Sequence, residues 1–393
     1  MEFKINFSGI GHKYTQEEID LVSEVMSTAD PLTQGYYRNN FESKFAKYLG
    51  VEHAFTTNNA TSALEMTAQL CQFDDGDEVV CPSHTFTATL YPFLKKGAKI
   101  VWADIDLITR VVTLETLRKV VTEKTKVIII VHLYGYAADM PAIIEFCKKK
   151  NILVVEDNAQ GIGTEIEGKK TGSFGDFGIF SFHSHKNITT LGEGGMLVVK
   201  DPEMAKIIPM LRHNGHKPFD FEQEEYWLPA MGDVDFPMLK DKILWPNNFC
   251  LGDVECALGA KLMDRLDDLN TLRRTRAIYF IDELVEFKEM VFHRVDNTRH
   301  NYHQLIAYFP TGIRNEFMKK MAYDKKIKCI VPYFPLNRNS LYKKLNFNNS
   351  NCLIADALFD NMCSLPFHSW LSNEDYDYML QSTKEVLREL KKN

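Results

Sequence analysis

No two of the eight cysteines (71, 81, 147, 250, 256, 329, 352, 363) stand at C-x-x-C spacing, and they are scattered through apolar surroundings. Neither a zinc site nor a disulfide framework is indicated, and a reducing cytoplasm is the expected location. No run approaches the roughly 18 apolar residues of a membrane helix. The opening MEFKINFSGIGHKY lacks the basic-then-apolar order of a secretory leader. A soluble, cytoplasmic protein without membrane insertion is expected. Blocks of like charge are missing as well: 46 basic and 53 acidic residues are interspersed and leave a net charge of −7. That balance points away from a nucleic-acid partner. Repeats and low-complexity tracts are also absent. What is present is ordinary globular composition, 45% hydrophobic and 25% charged over 393 residues. A chain of this size divides naturally into one large domain and one smaller one.

Helical spacing of Ile19, Val22, Val25 and Met26, then of Phe41, Phe45 and Tyr48, predicts helices between residues 15 and 49, with DPLTQGYYRNN (30–40) as a loop between them. In that loop Tyr36, Tyr37 and Arg38 either face a ligand or pack on their own domain. Seven β-rich runs follow: VEHAFTT (51–57), DEVVCP (77–82), KIVWADI (99–105), KVIIIVHL (126–133), ILVVED (152–157), FGIFSF (177–182) and GMLVV (195–199). Most are separated by helix-length amphipathic segments, which predicts an α/β fold with a mostly parallel sheet. An acidic, aromatic loop (219–236) comes next, then a long helical stretch from Gly252 to about Val285. The remainder reads as α+β, with strands expected at YHQLIAYF (302–309) and IKCIVPYF (327–334). The expected division is residues 1–251 as the large domain and 252–393 as the linking helix plus the small domain.

Chemistry concentrates in FGIFSFHSHKNITTLGEGGMLVV (177–199), where a strand leads a single lysine, Lys186, into a Thr- and Gly-rich turn. Burial depresses a lysine pKa, which an amine needs in order to attack an aldehyde near neutral pH. On its own this block fits equally a lysine that snorkels from a strand end. ILVVEDNAQGIG puts Asp157 at the carboxyl end of a central strand, the edge where open α/β sheets bind ligands. There it either keeps a pyridinium nitrogen protonated or caps a helix. TTNNATSALEM (56–66) turns from strand into helix, and backbone N–H groups at Ala60 and Thr61 suit a phosphate. A plainly capped helix start is the alternative. Phe86, in the turn of CPSHTFTATLYP (81–92), either stacks on a flat ligand or belongs to the core.

Together these segments resemble the sugar aminotransferases of the DegT/DnrJ/EryC1/StrS family, within the aspartate-aminotransferase (fold type I) group. The resemblance also rests on GYYRNNFESKFAKYLG, VHLYGYAADM (131–140) and WPNNFCLGDVECALGA (245–260), and it covers nearly the whole chain in order. It implies pyridoxal 5′-phosphate as cofactor, with Lys186 as the Schiff-base lysine and Asp157 as partner of the pyridine nitrogen. Gln160 would sit beside the phenolic oxygen and Phe86 on the ring face. Ala60, Thr61 and Ser181 would cradle the phosphate, and His183 would line the site while His185 is structural. Asn248 would reach the phosphate of the other subunit, which implies a homodimer with shared active sites.

The chain departs from the family pattern in places. The usual N-G-T turn is Asn59-Ala60-Thr61, the usual arginine after the shared asparagine is Cys250, and the His-Tyr-Pro segment appears as Pro332-Tyr333-Phe334-Pro335. These touch the substrate more than the cofactor. The resemblance implies an amino-acid donor, glutamate by expectation, and an oxo-sugar acceptor in cell-surface polysaccharide or lipopolysaccharide synthesis. The 177–199 block and the YWLPAM loop resemble more a branch of the family that acts on sugars without a nucleotide, which implies 8-oxo-3,8-dideoxy-manno-octulosonate as the favoured acceptor. Nucleotide-linked 3- or 4-keto sugars and 3-oxo-glucose 6-phosphate are the alternatives. For an acidic sugar the candidate cationic contacts are Arg38, Arg212, His213, His216 and Lys217. An intact Lys186 argues against the related sugar dehydratases, in which histidine replaces it, and against a non-catalytic regulator of the same fold.

Overall fold

A computed structural model describes residues 2–219, 227, 232–347 and 351–391. The seven predicted strands all form: β1 (Ala54–Thr57), β2 (Glu78–Pro82), β3 (Lys99–Ala103), β4 (Thr125–Val131), β5 (Leu153–Asp157), β6 (Phe177–Ser181) and β7 (Gly195–Val199). They make one sheet in the order β1-β7-β6-β5-β4-β2-β3, in which only β7 runs against its neighbours. Continuous apolar runs explain this arrangement. Val127 to Ile130 in β4 are completely buried, as a strand covered on both faces requires. The parallel strands therefore end on one edge, from which the segments after Thr57, Pro82, Val131, Asp157 and Ser181 emerge together.

Ahead of the sheet lie α1 (Gln16–Thr28) and α2 (Tyr36–Leu49), while α3 (Ala60–Leu70) follows β1 directly. The predicted loop over 30–40 is too long, because α2 already begins at Tyr36. Its start is fixed from far away: the Asp253 carboxylate accepts the N–H groups of Gly35 and Tyr37, both at 3.0 Å. A Cβ on Gly35 would stand 2.6 Å from that carboxylate. The long helix expected after Gly252 is two helices, α4 (Asp253–Leu262) and α5 (Leu266–Asp282), separated by a 3-10 turn at Met263–Arg265. Arg265 leaves helical geometry there, at φ −119°, and its guanidinium binds the buried Glu18 of α1.

In the C-terminal part, β8 (Val291–Phe292), β9 (Leu305–Tyr308) and β10 (Met362–Leu365) form an antiparallel sheet. The strand expected at 327–334 does not form. Ile327 and Ile330 make only single bridges, and Pro332 followed by left-handed Tyr333 (φ 54°) stops any ladder. Helix α6 (Asn373–Lys391) closes the described chain. Of the acidic loop 219–236, including most of YWLPAM, residues 220–226 and 228–231 lie outside the described residues.

Among the described residues all eight cysteines are free, no helix is long and apolar enough to cross a membrane, and no cluster of metal-ligating side chains occurs.

Candidate active site

At the carboxyl edge of the sheet a cavity of about 610 Å³ opens. Ala60 and Thr61 line it from the first turn of α3, where backbone N–H groups precede any helical carbonyl partner. Asn59 caps that helix by accepting the Ser62 N–H at 2.9 Å, which leaves the two preceding N–H groups for a ligand. The approach depends on Gly195 in β7, paired with both Thr57 and Ser181. A Cβ there would come within 2.7 Å of Ala60 N and 2.6 Å of the Asn59 carbonyl carbon. Ser181, at the end of β6, lines the same corner.

Asp157 ends β5 and is buried, but it caps no helix. Its carboxylate accepts Thr89 Oγ1–H at 2.7 Å and the Ala159 N–H at 3.2 Å. Gln160 is oriented by the Tyr134 N–H, which donates to Oε1 at 2.7 Å, so its NH₂ group donates to Tyr333 Oη at 2.6 Å. Phe86, far from being core, is 57% exposed on the cavity wall.

Lys186 lies five residues beyond β6, in a turn closed by its own N–H to His183 O at 2.8 Å. Its Nζ makes no hydrogen bond or ion pair among the described residues, and burial pushes its pKa down to about 8 against the pull of Asp157. Gly11 packs so tightly on this turn that a Cβ would meet Lys186 O at 2.0 Å. His183 lines the cavity as expected. His185, expected to be structural, lines it too, stacked on His183 with ring centroids 4.9 Å apart.

Asn248 is exposed, bridges His213 and does not line this cavity. The five cationic candidates do not line it either. Arg212 is fully buried, and its Nη1 donates to Glu42 and to the Thr56 carbonyl. Arg38 stands 3.7 Å from Glu42, Lys217 pairs with Asp233 and Asp235, and the rings of His213 and His216 lie 4.7 Å apart.

Several residues that no sequence motif marks also line the cavity: Phe7 and Ser8, Arg273 of α5, His303 and His368. Arg273 donates to the carbonyls of Tyr302, His303 and Phe367 and so ties α5 to the C-terminal part. Only tertiary folding brings these residues to the cavity, and no local motif announces them.

The site holds what a phosphorylated aldehyde with an aromatic ring nitrogen needs: exposed N–H groups at a helix start, a buried carboxylate, an exposed ring and an unpartnered amine. Comparison with known proteins agrees. The DegT/DnrJ/EryC1/StrS aminotransferase family profile matches residues 12–384. GDP-perosamine synthase of Caulobacter vibrioides is 30% identical over 375 residues, covering 94% of this chain and 95% of that protein. PseC of Helicobacter pylori, an aminotransferase involved in pseudoaminic acid biosynthesis, superposes with a TM-score of 0.88 at 25% identity, over 99% of this chain and 100% of the other. Spr1654, a candidate sugar aminotransferase of Streptococcus pneumoniae, superposes in its PMP form with a TM-score of 0.85 at 28% identity, over 97% and 98% of the two chains. Its PLP form gives 0.83.

Proposed function

Because this chain belongs to the DegT/DnrJ/EryC1/StrS aminotransferase family and is a pyridoxal-phosphate-dependent transaminase, we propose that it moves an amino group from an amino acid to an oxo-sugar. The donor in this reading is glutamate, and the acceptor favoured is 8-oxo-3,8-dideoxy-manno-octulosonate. The observation that carries the reading is Lys186, an unpartnered amine with a pKa lowered to about 8, in one cavity with the Asp157 carboxylate.

When bound, pyridoxal phosphate supplies an aldehyde that receives and passes on the amino group, and a ring that draws off electron density. Ala60 and Thr61 N–H with Ser181 would hold its phosphate, and Phe86 its ring face. Asp157, fixed by Thr89, would face the ring nitrogen and keep a proton there. Gln160, fixed by Tyr134, would present its NH₂ to the phenolic oxygen. Lys186 Nζ, its pKa lowered to about 8 by burial, would hold the cofactor's aldehyde carbon and would serve as the base for the donor's α-proton. Asn248 of the partner subunit would complete the phosphate site in a homodimer.

A nucleotide-linked 3- or 4-keto sugar is the second reading, favoured by the names of relatives such as GDP-perosamine synthase. The test is to mix the purified, cofactor-loaded protein with glutamate and a panel of oxo-sugars and to follow 2-oxoglutarate. Sustained turnover with the octulosonate supports the favoured acceptor. Turnover with nucleotide-linked sugars alone rejects it, and no multiple turnover with any oxo-sugar rejects the sugar reading.

A further inference from the structure

Two histidines on the cavity wall have their tautomers fixed by neighbours. The Nδ1 atom of His183 lies 3.4 Å from the His185 backbone N–H, which can only donate, so this nitrogen carries a lone pair. His185 Nδ1, 3.1 Å from the same atom, must then be the donor, and His185 Nε2 is left as an acceptor. His183 keeps its proton on Nε2, 3.8 Å from the Glu193 carboxylate.

The second case is anchored on a backbone carbonyl. Ile162 O accepts Asn270 Nδ2–H at 2.9 Å, Asn270 Oδ1 accepts Asn187 Nδ2–H at 2.8 Å, and Asn187 Oδ1 faces His303 Nδ1 at 3.0 Å. The chain has one polarity, so His303 Nδ1 donates and its Nε2 carries a lone pair. Burial pushes both His185 and His303 below the ordinary imidazole pKa, which keeps these lone pairs in place at neutral pH. His185, His303 and Glu193 all line the cavity that holds Lys186.

We propose that His185 and His303 form an acceptor-only wall that receives hydroxyl protons of the sugar. On this view the site favours acceptors that present neutral hydroxyl groups to this wall, and it disfavours a carboxylate or phosphate placed against it. The proposal rests on the sugar-acceptor reading above and sharpens it. An anionic group on the acceptor must lie away from this wall, as the carboxylate of an octulosonate with its carbonyl at the opposite end would. His185 is thereby a specificity-determining residue, not a structural one.

Two measurements on the cofactor-loaded protein test the wall. With ¹⁵N-histidine label, the imidazole shifts should show His185 and His303 protonated on Nδ1; protonation on Nε2 in His185 overturns the proposal whatever the acceptor. In kinetics, His185→Phe keeps a ring on His183 but removes the lone pair. It should raise the acceptor KM about fivefold, the loss of one hydrogen bond, with a much smaller change in the donor KM. His185→Gln, whose Oε1 restores an acceptor, should recover most of that loss. Normal turnover with an unshifted acceptor KM in His185→Phe rejects the wall alone, as does an equal rise in both KM values. Glutamate conversion without transfer to any oxo-sugar rejects the function reading instead.

Discussion

Lys186 differs from the other lysines in where its amine sits, not in its chemistry. On the cavity wall and with no ion-pair partner among the described residues, its amine has a pKa lowered to about 8 by burial, which enlarges the fraction of free amine near neutral pH. Lys186→Ala should abolish multiple turnover, and retained turnover in the glutamate and oxo-sugar assay would overturn its role. Asp157→Asn removes the charge proposed to keep the ring nitrogen protonated, and kcat should fall roughly a hundredfold, as for the loss of one preorganised electrostatic group. At this scale much was legible, because Lys186, Asp157, Thr61 and Phe86 each sit in a motif contained within one strand-to-turn segment. His185, expected to be structural, lines the cavity, a placement that depends on contacts that spacing does not encode. His303 and Arg273 had no local signal at all.

At the scale of elements, the seven strands were readable because most are short apolar or β-branched runs, whereas their order in the sheet is set by tertiary pairing that no single run announces. The start of α2 was not readable, since its cap, Asp253, is supplied by another helix. Asp253→Ala should therefore destabilise α2 by about 1–2 kcal/mol, visible as a lowered Tm. The junction of β7 with α3 makes a sharper forecast. In Gly195→Ala the new methyl must displace the start of α3, so cofactor affinity should drop along with about 1–3 kcal/mol of stability, the usual range for overpacking. Titrating pyridoxal phosphate into the variant and the parent protein checks this, and equal affinities would mean that α3 does not hold the phosphate.

The whole molecule carries several buried histidines that stay neutral. Burial lowers His12 to about 4, His84 to about 3 and His368 to about 3. Their unfolded-state value is 6.5, so above that pH they contribute nothing to the pH dependence. As pH falls from 6.5 toward 4, the unfolded chain binds protons that the folded chain refuses, and each group costs up to about 1.4 kcal/mol per pH unit. Urea midpoints should therefore drop clearly between pH 7 and pH 5, and a flat profile would contradict the burial of these rings.

Everything proposed for this site depends on Lys186 holding the cofactor's aldehyde carbon. Borohydride reduction of the cofactor-loaded protein, followed by proteolysis and mass spectrometry, tests it directly. The phosphopyridoxyl group should be found on the peptide containing Lys186, and labelling of a different lysine, or of none, would rule out this role for Lys186.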